Sequence, residues 1–270
     1  METVEKGLQV VIRERPLPRP PKVEKVSLRR VLVVFGSDQG LCGRFNEKLA
    51  EFIHTKTGEW QDASTISHML VIGARIGARL EAEGRMVSEQ FWVPGSVNGI
   101  TAGVYQILLS LEAVQNQGLV THIDLFYNRH KLGLGGIPTH QQLLPLDQDH
   151  LLELRGRKWP GRSVPQIGAE AGRLFSSLIR QYFFVSLFRA QAQSLAGEQA
   201  SRLSSLQNAE KNIEEHVGEL LAEYRVRRQA SITSELLDLV AGFKTSSRRN
   251  KGEPEDEPAD DPEDSAGEVA

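Results

Sequence analysis

The sequence predicts an α/β fold with a Rossmann-like, mostly parallel sheet, followed by one long C-terminal coiled-coil helix. Two observations carry this prediction. Short apolar runs rich in β-branched residues alternate with helical patterns over residues 30–150, which is typical of a sheet covered by helices. No proline occurs between Pro165 and Pro254, and good helix formers dominate that stretch.

Residues 1–29 are predicted to be a connector, because four prolines fall between positions 16 and 21. Proline is excluded from helix interiors and central strands. The apolar cluster at positions 8–12, ahead of the prolines, is also compatible with the end of a longer helix.

Between residues 30 and 150 the pattern predicts strands and helices in turn. The run at Arg30–Phe35 is continuously apolar after its first residue, as expected for a strand buried on both faces. Further strands are predicted at 69–72 and 122–127, and an edge strand at 141–145. Apolar residues at helical spacing predict helices at 45–54, 76–81 and 104–114.

A second connector is predicted at 151–168, and a helix at 169–248, which at 1.5 Å per residue would be roughly 115 Å long. Its apolar residues form a coiled-coil-like stripe: Leu195, Leu203, Leu206, Ile213, Val217, Leu220 and Tyr224. The alternative is two or three shorter helices broken at Gly197, Gly218 or Gly242, because interior glycine destabilises a helix by about 1 kcal/mol.

The charge is unevenly distributed along the chain. Nine acidic residues against one lysine give residues 251–270 a charge of −8, which leaves +5 on the rest of a chain whose net charge is −3. Such a composition cannot bury enough apolar area to fold, so residues 249–270 are predicted to be a disordered acidic tail. The remaining positive charge is too small and scattered to predict nucleic-acid binding.

Several classes of protein are excluded by composition. No apolar run approaches the roughly 18 residues of a membrane span, and the N-terminal residues lack the apolar core of a signal peptide. The single cysteine, Cys42, excludes a disulfide scaffold. The seven histidines show no metal-binding spacing, so neither a metal nor a cofactor is expected.

The loop GSDQGLCGRFN at 36–46 lies between a predicted strand and a predicted helix, where α/β folds bind ligands. Its glycines match neither dinucleotide-binding nor P-loop spacing. A phosphate cradle therefore competes with a simple turn capped by Ser37 or Asp38. Cys42 lacks an identifiable histidine partner, which favours a structural thiol over a nucleophile.

A second glycine-containing segment, GARIG at 73–77, also resembles a phosphate-binding loop. A tight turn from a strand to a helix is the simpler interpretation of its two glycines.

Two stretches carry a family resemblance. SDQGLCGRFN resembles the signature loop SDRGLCGGFN of the F-type ATP synthase gamma subunit, and EYRVRRQASITSELLDLVAGF resembles the end of that family's C-terminal helix. VIGARIG, IPTHQQLLPL and SLAGEQASRLSSLQNAEKN match further segments in the same order. The signature-loop residues carried over are Ser37, Asp38, Gly40, Leu41, Cys42 and Gly43.

The chain also departs from the family pattern. Gln39 and Arg44 replace the usual arginine and glycine of the loop, and the acidic tail is an addition. The family's long N-terminal helix has no counterpart in the sequence given. We therefore expect the apolar stripe to require a helix from elsewhere, through a mis-assigned start or a genuine truncation.

The resemblance implies a mechanical role. It implies a central-stalk rotor that couples ion flow through the membrane ring to ATP synthesis or hydrolysis, with no active site of its own. The implied partners are the alpha and beta catalytic subunits, the epsilon subunit and the c-ring, at the cytoplasmic face of a bacterial inner membrane, with no membrane span in this chain. The residues expected to contact a beta subunit are Arg228, Gln229, Thr233 and Glu235.

One alternative of a different class stays open. The chain could instead be a small-molecule or nucleotide-binding α/β enzyme whose C-terminal helix serves oligomerisation. Tight nucleotide binding by the isolated chain would favour the enzyme, and co-purification with alpha and beta subunits would favour the rotor.

Overall fold

The computed structural model describes residues 2–14, 29–60, 66–117, 120–131, 135–159, 161, 163, 165, 167–168 and 170–250. The proline-rich part of the predicted connector and the acidic tail from residue 251 lie outside these residues. The chain divides into two compact units, Met1–Ala209 and Glu210–Ala270.

Helices and strands alternate through the first unit, as the sequence predicts. In chain order the elements are α1 Glu2–Glu14, β1 Arg30–Phe35, α2 Phe45–Gly58, β2 Ile66–Ile72, α3 Ala74–Ala82, β3 Glu89–Phe91, α4 Val97–Gln117, β4 His122–Lys131, β5 Gly135–Leu144, α5 Gln148–Gly156 and α6 Ala171–Asn250. The predicted strands at 30–35, 69–72 and 122–127 lie within β1, β2 and β4, and the predicted edge strand at 141–145 overlaps the end of β5 but extends one residue beyond it. The three predicted helices lie inside α2, α3 and α4.

The five strands form one sheet in the order β3-β2-β1-β4-β5. The first four strands in this order pair in parallel, and β5 pairs antiparallel to β4 at one edge. The predicted fold class, a mostly parallel sheet followed by a long helix, is confirmed. The short edge strand β3 was not predicted, because three residues are too few to show a strand pattern.

Each face of the sheet supports its own core. Val31, Val33 and Phe35 of β1 lie in one cluster with α4 and α6. Leu32 and Val34, which alternate with them, lie in a second cluster with α2 and α3. All five side chains are fully buried, which explains why β1 is apolar without interruption.

Helix α4 is long and apolar enough to cross a membrane by length and composition, with a mean hydropathy of 1.2 over Val97–Asn116. One side of it, formed by Val104, Ile107, Leu108 and Leu111, is buried in the core against the sheet. The core helix of a sheet protein satisfies the same criterion, and packing against the sheet accounts for the apolar composition of α4.

The two predicted connectors contain helices that the prediction left out. In α1, Val4, Leu8 and Ile12 recur every four residues and pack with Leu151 of α5, beside the partly buried Leu178 of α6. The spacing i, i+4, i+8 is that of an amphipathic helix. The proline run that follows obscured this spacing in the sequence.

The long helix is continuous from Ala171 to Asn250. The alternative of shorter helices broken at Gly197, Gly218 or Gly242 is therefore wrong. The observed start and end lie within two residues of the predicted ones, and each glycine retains helical backbone.

Candidate functional site

The loop that connects β1 to α2 lies at the position where open α/β sheets bind ligands. β1 lies at the centre of the sheet, between β2 and β4. The chain adds β2 and β3 on one side of β1 and then β4 and β5 on the other side, so the order of the strands reverses at β1. Ligands of such sheets lie in the crevice outside this point.

Ser37 and Asn46 close the loop on itself. The Ser37 backbone N–H donates to Asn46 Oδ1 at 3.1 Å, and Asn46 Nδ2 donates to Ser37 Oγ at 2.8 Å. Both side chains are buried. Cys42 is 3% exposed, and its sulfur lies 3.6 Å from Ser37 Oγ. This geometry supports the structural interpretation of the thiol.

Asp38 joins the loop to the segments that follow two neighbouring strands, β2 and β3. Its Oδ1 accepts a hydrogen bond from the backbone N–H of Ala74 at 2.8 Å, and its Oδ2 accepts one from Val93 at 2.7 Å. Ala74 is the first residue of α3, where a carboxylate is stabilised by the positive end of the helix dipole. The carboxylate of Asp38 thus occupies the place that a phosphate would need.

The glycine turn before α3 also contacts the signature loop, through Ser37. The Arg75 backbone N–H donates to the carbonyl oxygen of Ser37 at 3.0 Å. Gly73 has a φ of +118°, and a side-chain Cβ there would lie 2.8 Å from Ser37 backbone atoms. Only glycine fits this turn, and the amides at the start of α3 are used by the signature loop rather than left open for a ligand.

Helix α6 covers the carboxyl end of the sheet. The Ser194 hydroxyl donates to the carbonyl oxygen of Phe35, the last residue of β1, at 3.0 Å. One turn later, a Cβ added to Gly197 would lie 3.3 Å from the carbonyl oxygen of Asn128 and 3.4 Å from Gly136 Cα. The backbone of α6 therefore approaches β4 and β5 closely and occupies the crevice.

Glu198, the residue after Gly197, is a buried carboxylate beside the close approach of α6 to β4 and β5. It is 4% exposed, and its Oε1 accepts a hydrogen bond from Arg202 Nη2 at 2.7 Å. Its Oε2 is buried without a hydrogen-bond partner among the described residues. Burial raises the pKa of Glu198 above its ordinary value, against the hydrogen bond and charge of Arg202, and the charge of Asp38 raises it further.

Beside the loop lies an open groove of about 510 Å³ between the start of α2, the β4–β5 hairpin and α6. Its polar lining includes Arg44, Lys48, His130, Ser201, Ser204 and Ser205. Arg44 pairs with Glu51 at 2.8 Å. At the tip of the loop, Leu41 is 73% exposed and adopts a φ of +62°, an uncommon conformation for a residue with a side chain.

The residues expected to contact a beta subunit all lie on α6 in the second unit and are exposed. Thr233 and Gln229 are adjacent, since the Thr233 hydroxyl donates to the Gln229 carbonyl oxygen at 2.8 Å. Glu235 accepts a hydrogen bond from Ser231 at 3.4 Å. Arg228 and Glu235 are seven residues apart and share one side of the helix, while Gln229 and Thr233 lie on the neighbouring side.

Sequence reasoning missed Ser194, Gly197 and Glu198 as members of the site. They lie in the segment SLAGEQ that carries the family resemblance, but nothing local distinguishes them from other helix residues. The available signal was the spacing of small and polar residues at 194, 197, 198 and 201 within a helix of large apolar residues. Such spacing indicates close approach of another backbone.

Among the described residues no group of three His, Cys, Asp or Glu side chains is placed to hold a metal ion. The crevice thus offers neither an open phosphate cradle nor a metal cluster within the described part of the chain. What its residues do is hold the loop, the sheet and α6 together.

Comparisons with known proteins agree on one family over most of the chain. A family model described as ATP synthase matches residues 1–245. The ATP synthase gamma chain of Polynucleobacter asymbioticus is 27% identical over 229 residues, covering 83% of this chain and 77% of that relative. The gamma chain of Bartonella bacilliformis is 27% identical over 220 residues, covering 78% of this chain and 73% of the relative.

Solved structures share the fold. A chain of the Euglena gracilis mitochondrial ATP synthase, in a structure containing OSCP, F1 and the c-ring, matches with a TM-score of 0.59 at 16% identity, covering 96% of this chain and 92% of that one. A chain of the Tetrahymena thermophila mitochondrial ATP synthase central stalk and c-ring matches with a TM-score of 0.51 at 20% identity, covering 77% and 92%.

Proposed function

The chain belongs to the ATP synthase gamma subunit family and is a central-stalk rotor subunit; from this premise we propose which partners it contacts and how. It works within a membrane-associated complex that contains a catalytic head and a membrane ring. In that complex it couples ion flow through the ring to ATP synthesis and hydrolysis in the head by rotating.

The observation that carries the proposal is the exposed apolar surface of α6. In the first unit Leu203 and Leu206 are 59% and 47% exposed, and in the second unit exposed apolar residues continue from Ile213 to Phe243. Large apolar side chains exposed in such number along one helix mark a surface that other proteins cover. We propose that the alpha and beta subunits of the head cover it.

The polar residues near the end of α6 supply directional contacts. Arg228 has no hydrogen bond or ion pair within the described residues, unlike Arg227, which pairs with Glu223 at 2.5 Å. A free guanidinium can bind a carboxylate through two parallel hydrogen bonds. We propose that Arg228, Gln229, Thr233 and Glu235 contact a beta subunit, so that rotation changes which catalytic subunit is engaged.

The groove beside the signature loop is proposed as a second partner surface. Lys48 and His130 have no ion pair in the described part of the chain, and exposed Leu41 stands at the loop tip. Basic side chains and hydroxyl groups suit an acidic partner surface. The epsilon subunit and the c-ring are the further partners we propose for the α/β unit, at the cytoplasmic face of a bacterial inner membrane.

The enzyme alternative is not favoured. A nucleotide at the signature loop would compete with Asp38, whose two oxygens already accept backbone hydrogen bonds, and with α6 itself. We propose that the chain has no active site and that ATP chemistry takes place on the catalytic subunits.

Co-assembly tests the proposed function. The chain is co-expressed with the alpha and beta subunits of its own complex, purified through a tag on beta, and assayed for ATP-driven rotation of a bead attached to the chain. We expect co-purification and rotation. A chain that stays unassembled but binds ATP with micromolar affinity would support the enzyme instead.

A further inference from the structure

The last part of α6 and the residues that follow it carry opposite charges. Between positions 225 and 250 the sequence has six basic residues against two acidic ones. The next twenty residues, 251–270, have nine acidic residues against one lysine and lie outside the described part of the chain. A basic stretch of continuous helix is therefore followed directly by an acidic segment of the same chain.

Three of the basic side chains on α6 have no acidic partner within the described residues. Arg225, Arg228 and Lys244 are exposed and form no hydrogen bond or ion pair in this part of the chain. The reason is their spacing, because none of them has Asp or Glu three or four residues away, where ion pairs form on a helix. Arg227, by contrast, follows Glu223 by one turn and pairs with it. The three unpaired charges are available to an acidic segment.

Arg225 and Arg228 form a local concentration of positive charge. They lie on the same side of α6, since residues three apart are neighbours on a helix surface. Each guanidinium group can bind a carboxylate through two parallel hydrogen bonds. A run of carboxylates that passes along this side of the helix is therefore attracted to both arginines at once.

The acidic segment is long enough to reach this pair. Arg225 lies twenty-five residues before Asn250, the last residue of α6, which is roughly 38 Å at 1.5 Å per residue. The fourteen residues at 251–264 span roughly 46 Å when extended. Prolines at 254, 258 and 262 favour extended backbone over a continued helix. The acidic residues at 260–264 can therefore reach Arg225 and Arg228, and those at 253–257 can reach Lys244.

The covalent connection makes a weak attraction effective. A single exposed ion pair contributes little in water. A segment tethered to the helix that it binds has, however, an effective concentration on the order of 1 mM, and several carboxylates act together. The attraction depends on ionic strength, because the Debye length falls from about 10 Å at 0.1 M salt to about 3 Å at 1 M.

We propose that residues 253–264 of this chain fold back along α6 and bind Arg225 and Arg228, in competition with the carboxylates of a catalytic beta subunit. Arg228 belongs to the beta-subunit contact proposed above, so the proposal rests on that function. The acidic segment is then an internal inhibitor: while it occupies the arginines, the catalytic head engages the rotor less strongly. Raised salt releases it.

Zero-length cross-linking with a carbodiimide tests where the acidic segment lies. The reagent joins a lysine amine to a carboxylate in direct contact, so Arg225→Lys supplies an amine at the proposed site. We expect cross-links from position 225 of this variant to the acidic residues at 260–264, and from Lys244 to those at 253–257, in mass spectra of the monomeric full chain. Both should disappear at about 1 M salt, where the charges are screened.

Lys211 is the matched control on the same helix. It lies thirty-nine residues before Asn250, roughly 59 Å away along the helix, beyond the reach of the residues up to 264. Its cross-link to Glu215, its partner at 3.7 Å, shows that the reagent has reacted. Absence of the cross-link from position 225, or equal cross-linking of Lys211 to residues 253–264, would overturn the proposed binding.

The inhibition is measured in the complex assembled with the alpha and beta subunits. One variant has all nine carboxylates of residues 251–270 replaced by amides, and the control carries the same twenty residues in shuffled order, which keeps the charge. We expect the amide variant to hydrolyse ATP at least twofold faster than the wild type at low salt and equally fast at high salt. The shuffled variant should match the wild type.

Equal rates of the amide variant and the wild type at low salt would overturn the inhibition, even if the cross-links form. Failure of the proposed function looks different. The wild-type complex would then show no ATP-driven rotation at any salt concentration, and the amide variant would show none either.

Discussion

Asp38 and Val93 are separated by 55 residues in the sequence, yet Asp38 Oδ2 accepts a hydrogen bond from the Val93 backbone N–H at 2.7 Å. The other oxygen of the same carboxylate accepts from Ala74. One side chain of the signature loop thereby satisfies backbone donors from two segments that follow neighbouring strands. These two hydrogen bonds hold the signature loop in its conformation.

Replacing Asp38 by alanine is expected to destabilise the chain. Each unsatisfied buried donor costs about 1–3 kcal/mol, so the free energy of unfolding should fall by about 2–6 kcal/mol for two donors. Urea denaturation followed by circular dichroism measures the loss. Asp38→Asn, which keeps one oxygen acceptor, should lose less, and equal losses in both variants would contradict this account.

The same geometry predicts that the signature loop binds no nucleotide. Titration calorimetry of the folded chain with ATP and with NAD should give no heat of binding. Asp38→Ala provides a sharper comparison, because it vacates the amides at the start of α3. Micromolar affinity of the wild-type chain for either nucleotide would revive the enzyme interpretation.

A fully buried carboxylate of β4, Asp124, stabilises the sheet near the amino end of its parallel strands. It is fully buried and accepts hydrogen bonds from Arg30 at 3.1 Å and His140 at 2.8 Å. Removing one partner of a buried ion pair costs about 3–5 kcal/mol, so Asp124→Ala should lower the free energy of unfolding by about 3 kcal/mol or more in urea. Asp149→Ala, at an exposed carboxylate, serves as the control and should cost less than about 1 kcal/mol.

The raised pKa of Glu198 predicts how the free energy of unfolding changes with pH. Because its pKa is raised in the folded chain, the folded state binds more protons than the unfolded state between the ordinary and the raised pKa. Stability must then fall as the pH rises through this window. Glu198→Gln should remove this part of the dependence in urea titrations from pH 4 upward. A wild-type profile that rises through the window, or an unchanged profile in the variant, would contradict the raised pKa.

The proposed beta-subunit contact is tested by the double substitution Arg228→Ala with Gln229→Ala. Loss of a desolvated, charge-assisted contact should lower both ATP synthesis and ATP hydrolysis, by about tenfold for each 1.4 kcal/mol lost from the transition state. Lys211→Ala is the control on the same helix, since Lys211 pairs with Glu215 within α6. Normal rates in a normally assembled double variant would exclude the contact.

Local sequence patterns determined a large part of this fold. The uninterrupted apolar run of β1 requires burial on both faces, and the absence of proline after Pro165, with good helix formers throughout, predicts α6 to within two residues at each end. These features depend on the spacing of side chains along a few turns or one strand, which the sequence displays directly.

The candidate site depended on contacts between distant segments. Whether Asp38 faces solvent or a pair of backbone amides, and whether Gly197 breaks a helix or admits a neighbouring strand, is decided by which segment packs beside it. The same holds for Glu198, whose burial follows from the position of α6 over the sheet edge. Local propensity is worth about 1 kcal/mol or less per residue, so burial, close packing and buried hydrogen bonds override it, and these arise only once the chain has folded.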